Sequence, residues 1–130
     1  MPFIEVFDFN ATPAQRKTAA RTLTDSLCAA YGISPSIVST YFFDVGANGY
    51  GHAGEYGEAA EMRRIFIKIH AFTREESIRA SAAQRLTEAA RQAYEVPSDK
   101  YVVIYFLDRD PTHVSHGGVL ESATRIAPAI

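Results

Sequence analysis

The sequence predicts an α/β (α+β) domain made of two β-α-β units in tandem, which form a four-stranded mixed sheet with two helices on one face. Three observations predict it. The chain matches itself at a nearly constant offset, each half reads strand, helix, strand, and each half closes on a glycine-bearing segment suited to a hairpin. One domain spans residues 1–130, with repeats of about 1–63 and 64–130.

Sliding the chain by 63 places Phe3, Ile4, Phe9, Arg16, Ala19, Ala20, Leu23, Thr24, Ala30 and Tyr31 on Phe66, Ile67, Phe72, Arg79, Ala82, Ala83, Leu86, Thr87, Ala93 and Tyr94. One further residue of offset matches Val38, Tyr41, Phe42, Asp44, His52 and Gly54 to Val102, Tyr105, Phe106, Asp108, His116 and Gly118.

In the first half PFIEVFDF is aromatic and β-branched, as a strand requires. Thr12-Pro13-Ala14-Gln15 then supplies a capping box with proline at the first helical position. Ala19, Ala20, Leu23, Leu27, Ala30 and Tyr31 recur at three- and four-residue spacing, and Gly32 stops the helix. Ile37 to Val45 is the second strand. The second half repeats the plan with IFIKIHAF, a capping box from Thr73 to Glu76, a helix to about Tyr94, and YVVIYFL as a strand buried on both faces. Strand-helix-strand units cross over right-handed into parallel pairs. Symmetry then sets the two first strands antiparallel and leaves one sheet face for neighbouring subunits to cover.

Composition excludes several function classes. Hydrophobic residues are 47% and charged residues 22%, which suits a soluble folded core, and a net charge of −2 gives no pull toward nucleic acid or anionic lipid. The single cysteine, Cys28, allows no intrachain disulfide, reads as a small buried hydrophobe, and fits a cytoplasmic protein. Neither an export signal nor a membrane span is visible in the sequence.

Proline at position 2 permits removal of Met1, exposing a secondary amine at a strand end. An α-amino group ionises near about 8, and an apolar site with a guanidinium nearby lowers that toward the range of a base at neutral pH. Antiparallel first strands bring Pro2 near Arg74, expected in the first turn of the second helix, where it can bind a carboxylate at two points. Tyr105, Asp108 and Arg109, toward the end of the last strand, approach the same region. His70 either faces the Pro2 pocket or is an ordinary edge histidine, and Tyr105 is either catalytic or a core tyrosine.

With these residues in place, the chain resembles the tautomerase superfamily over almost its whole length, in both 4-oxalocrotonate tautomerase and cis-3-chloroacrylic acid dehalogenase flavours. The opening Met-Pro, the doubled β-α-β unit, and the tails Tyr50-Gly51-His52-Ala53-Gly54-Glu55 and Val114-Ser115-His116-Gly117-Gly118 carry it. The resemblance implies that Pro2 is the general acid or base, with one such site per chain because Ile65 stands where a second proline would. It places Arg74 on a substrate-carboxylate arginine and Tyr105 on an active-site tyrosine. Ala71, Leu27 and Ser115 or His116 stand where the dehalogenase has its other arginine, its histidine and its water-activating glutamate. A homotrimer is implied, with Tyr41, Arg109 and His116 as further substrate contacts.

Competing motifs have blander readings. His113 and His116 form an H-x-x-H with no matched third ligand, so no metal is expected. Gly49 to Gly54 fits G-x-G-x-x-G, but it follows the wrong strand and precedes too short a segment for a dinucleotide site. No cofactor is expected. The expected activity is enol-keto interconversion of a small 2-oxo carboxylic acid. The alternatives are a hydratase, dehalogenase or decarboxylase of the same family, and a non-catalytic binding or assembly subunit.

Overall fold

The computed structural model describes residues 2–124. Its main sheet holds β1 (Phe3–Asp8), β2 (Ser39–Asp44), β5 (Ile65–Ala71) and β6 (Val102–Asp108) in the order β2-β1-β5-β6. β1 runs parallel to β2, β5 runs parallel to β6, and the two central strands are antiparallel. Two short hairpins, β3/β4 (Gly51–His52 and Glu55–Tyr56) and β7/β8 (Ser115–His116 and Val119–Leu120), follow the edge strands. A single turn of helix, α3 (Glu121–Thr124), comes last. Gly54 and Gly118, matched by the repeat, both take φ near +84° and +83°, the left-handed region that hairpin corners need and side chains resist.

Alternation of side chains sorts the sheet into two faces. Ile4, Val6, Ile65, Ile67 and Ile69 point toward the helices α1 (Pro13–Tyr31) and α2 (Glu76–Tyr94) and are buried, packing on Ala19, Leu23, Leu27, Ala82, Leu86 and Ala90. The opposite face carries Phe3, Glu5, Phe7, Tyr41, Phe43, Phe66, Lys68, His70 and Tyr105. Tyr41, Phe43 and Tyr105 there are 54%, 44% and 59% exposed. β6 is therefore not buried on both faces. As an edge strand it covers the helices with Ile104 and Phe106 and leaves Tyr105 open.

The first helix starts as its capping box requires: Thr12 accepts from the Gln15 N–H while Gln15 returns a bond to the Thr12 N–H. Gly32, at φ +68°, ends it in the left-handed conformation. The second helix departs from its local signal. Its cap is Glu75, with no side-chain cap bond, and Thr73 and Arg74 fall in the preceding turn. Glu75 lies 63 residues after Thr12, so the spacing of the repeat overrides the capping chemistry at Thr73. Cys28 is only half-buried.

On the helix side, Asp8 is fully buried and three bonds hold it. Arg16 donates Nε and Nη2 to its two carboxylate oxygens at 3.0 and 2.8 Å, and the Tyr94 hydroxyl donates at 2.9 Å. Burial and the adjacent carboxylate push the Tyr94 phenol far above its usual range. Both partners were visible in the sequence as repeat-matched positions, but the acid between them was not singled out.

Candidate active site

Register builds the site. Phe3 of β1 pairs with His70 of β5, so Pro2, itself buried, begins where β5 ends. The chain leaving β6 folds back over this end: the Arg109 N–H donates to the Ala71 carbonyl at 2.8 Å. A short turn at Pro111–His113 follows, capped by Asp110, whose carboxylate accepts from the N–H and the hydroxyl of Thr112. Those bonds hold the Asp110 carboxyl below the usual range. The β7/β8 hairpin comes next, and between it and the sheet lies a cleft of about 540 Å³.

Pro2, Tyr41, His70, Arg109 and His116 all line this cleft, together with Phe3, Ser39, His113, Val114 and Ser115. His70 is not an edge histidine. It sits in a central strand, 5% exposed, with its ring stacked on Phe3 at 4.1 Å between centroids. Its Nε2 lies 2.5 Å from Glu5 Oε1, and its Nδ1 receives Arg109 Nη2 at 2.7 Å and Nε at 3.1 Å. Both ring nitrogens are thus engaged.

Arg74 and Tyr105 do not line the cleft. Arg74 precedes α2 rather than occupying its first turn; it donates to the Phe72 carbonyl at 2.9 Å and lies over the Tyr31 ring at 4.7 Å. Tyr105 faces a smaller depression of about 390 Å³ with Tyr50, Arg64, Phe66 and Val103. A groove of about 590 Å³ along the outside of α1, lined by Lys17, Arg21, Asp25 and Pro35 among others, contains none of the residues singled out.

Glu5 is the site residue that sequence reasoning missed. The antiparallel register could have found it: Glu5 is two residues along β1 from His70's partner Phe3, on the same face, within diagonal reach of a long side chain. Among the described residues, no group of three or more His, Cys, Asp or Glu is placed to hold a metal ion. No described helix is long and apolar enough to cross a membrane.

A two-repeat sheet with a proline at the head of β1 defines a class of fold, and comparison with solved structures names it. The chain superposes on native fused 4-OT with a TM-score of 0.85 at 18% identity, covering 93% of this chain and 97% of that one. It matches Pt0534, inactivated by 2-oxo-3-pentynoate, at 0.83 and 14% identity, over 94% and 98% of the two chains. Macrophage migration inhibitory factor of Toxoplasma gondii matches at 0.72 and 20% identity, over 91% and 98%. No family model and no curated protein matches the sequence. The fold is that of the tautomerase superfamily, in its fused two-repeat form.

Proposed function

We propose that this chain is a tautomerase that interconverts the enol and keto forms of a small 2-oxo carboxylic acid, working as a homotrimer. The observation that carries this reading is the cleft at the head of β1, where Pro2 and the Arg109 guanidinium line one space with Tyr41, His70 and His116. With Met1 removed, the neutral Pro2 nitrogen takes a proton from C3 of the keto acid and delivers it to the 2-oxygen to give the enol, and the reverse transfer, from oxygen to C3, regenerates the keto acid. Arg109 binds the carboxylate at two points and holds C3 against the amine. The Tyr41 hydroxyl donates to the 2-oxygen, where negative charge develops. The anchoring role that the sequence suggested for Arg74 passes to Arg109, because Arg109 lines the cleft and Arg74 rests on Tyr31.

Two observations support the trimer. The sheet face opposite the helices exposes Tyr41, Phe43 and Tyr105, more aromatic surface than an isolated domain usually leaves in water. Fused 4-OT, solved as a symmetric trimer, matches this chain at a TM-score of 0.79 and 20% identity.

Hydration of a 3-haloacrylate requires a base that aims water at carbon. Among the described residues, the candidates that the last turn and hairpin offer the cleft are His113, Ser115 and His116, and none is a carboxylate. The test is phenylenolpyruvate ketonisation followed by ultraviolet absorbance, beside chloride release from 3-chloroacrylate. The expected result is ketonisation, with chloride release at least about a thousandfold slower in kcat/KM. Efficient chloride release, or ketonisation unaffected by Pro2→Ala, would reverse the assignment. The reagent of the Pt0534 structure offers a second probe. 2-Oxo-3-pentynoate is itself a 2-oxo acid, and its electrophilic triple bond accepts a neutral amine without a leaving group.

A further inference from the structure

The side chains under the cleft form one directed chain, Glu5 to His70 to Arg109. Arg109 presents only N–H donors, and two of them point at His70 Nδ1, at 2.7 and 3.1 Å. That nitrogen therefore carries a lone pair and no proton. The ring's single proton sits on Nε2, facing the Glu5 carboxylate at 2.5 Å. The other tautomer would set an N–H against the guanidinium donors and a lone pair against a carboxylate, so only one arrangement satisfies all three groups. Stacking on Phe3, with 6° between the planes, holds the ring in that orientation. The His70 side chain is 7% exposed and the Glu5 side chain 21%, so water competes little for either end of the imidazole.

We propose that Glu5 is a positioning residue: it fixes His70 in the Nε2–H tautomer, and His70 in turn holds the Arg109 guanidinium at the Pro2 cleft. Glu5 and His70 move no proton in the reaction. Their role is to pre-set the direction of the carboxylate anchor, which otherwise would sweep solvent on a long side chain and lose entropy on each binding event. This inference rests on the reading of Arg109 as that anchor.

The experiment is a double-mutant cycle on phenylenolpyruvate ketonisation, with the histidine tautomer read by long-range ¹H–¹⁵N NMR. Glu5→Ala is expected to raise KM about tenfold with kcat within about twofold, because substrate is held less well while Pro2 is untouched. Glu5→Gln keeps an acceptor oxygen facing Nε2 and should stay within about threefold of the parent. In an Arg109→Ala background, Glu5→Ala should change KM by less than about twofold, since a residue acting through Arg109 has nothing left to act on. The His70 spectrum should show a proton on Nε2 and none on Nδ1 in the parent and in Glu5→Gln.

Equal damage from Glu5→Ala and Glu5→Gln, effects that multiply with Arg109→Ala, or a protonated Nδ1 in the parent would overturn the proposal. If Arg109→Ala leaves KM unchanged, the reading of the anchor is wrong and this inference falls with it. If Arg109→Ala raises KM and Glu5→Ala does not, only the inference falls. Thermal unfolding of each variant separates misfolding from misplacement, and Glu5→Gln, nearly isosteric, serves where Glu5→Ala does not fold.

Discussion

The two ends of the central strand pair occupy equivalent places in the repeat, yet they hold different chemistry. At the head of β1, the cleft is lined by Phe3, Ser39, Tyr41 and Val114; at the head of β5, the smaller depression is lined by their counterparts Phe66, Val103, Tyr105 and Tyr50. The mirror breaks at the groups proposed to hold or act on substrate. Pro2 answers to Ile65, His70 to Phe7 and Arg109 to Val45 at the same offsets. Where the first end sets an imidazole between a carboxylate and a guanidinium, the second stacks Phe7 between Phe43 and Phe66 at 5.0 and 5.6 Å. One frame can thus carry a polar, titratable end and an aromatic end.

A second asymmetry lies on the helix side. Asp8, Arg16 and Tyr94 answer to Ala71, Arg79 and Tyr31, so the mirrored set, which like the first draws on both repeats, keeps the cation and the phenol but lacks the acid. Arg79 instead donates to the Arg74 carbonyl, and Arg74 covers Tyr31. Burial pushes the Tyr31 phenol up, opposed by the two guanidiniums. Arg74 is therefore engaged in closing the place that a carboxylate fills in the first repeat.

These contrasts can be broken in order of effect. Pro2→Ala should lower turnover of phenylenolpyruvate at least about a hundredfold, the scale of losing a general acid or base. Ile65→Val at the mirrored position should leave kcat within about twofold. Arg16→Ala should destabilise the fold by about 3 kcal/mol, because it strands a fully buried carboxylate. Arg79→Ala, which strands none, should cost less than about 1 kcal/mol by chemical denaturation.

Tyr94→Phe sharpens the same contrast through pH. At neutral pH it removes one of three bonds to Asp8 and should cost about 1–2 kcal/mol. The folded protein holds this phenol protonated well above its usual range, while the unfolded chain releases the proton above about pH 10. The stabilising contribution is thus complete below that pH and declines as pH rises through it. The stability gap between parent and Tyr94→Phe should therefore narrow above about pH 10 in denaturation curves.

Much of the fold was legible because the repeat is a long-range signal written twice. It implied the strand order, the antiparallel central pair and the open face, and the residues Thr12, Gln15 and Gly32 marked the ends of the first helix by local chemistry. Local chemistry misled at Thr73, where a plausible cap lies two residues too early for the repeat. Arg109 was placed near the site from topology, and His116 through the family resemblance. The Glu5–His70–Arg109 chain joins residues 65 and 39 positions apart, and no spacing along the chain encodes it. Only side-chain alternation across a known register brings them together. Asp8 was hidden for a related reason: a carboxylate at the end of a strand reads as solvated until the helices lay Arg16 and Tyr94 against it.

The central claim is that Pro2, with a free and neutral nitrogen, is the reactive group of the cleft. Treatment with 2-oxo-3-pentynoate followed by peptide mass spectrometry tests it most directly. The account predicts loss of ketonisation activity in step with a single adduct on the peptide that begins at Pro2, and slower labelling in Arg109→Ala, where the reagent's carboxylate has lost its anchor. Active protein that retains Met1, or inactivation with the adduct on any other residue, would contradict it.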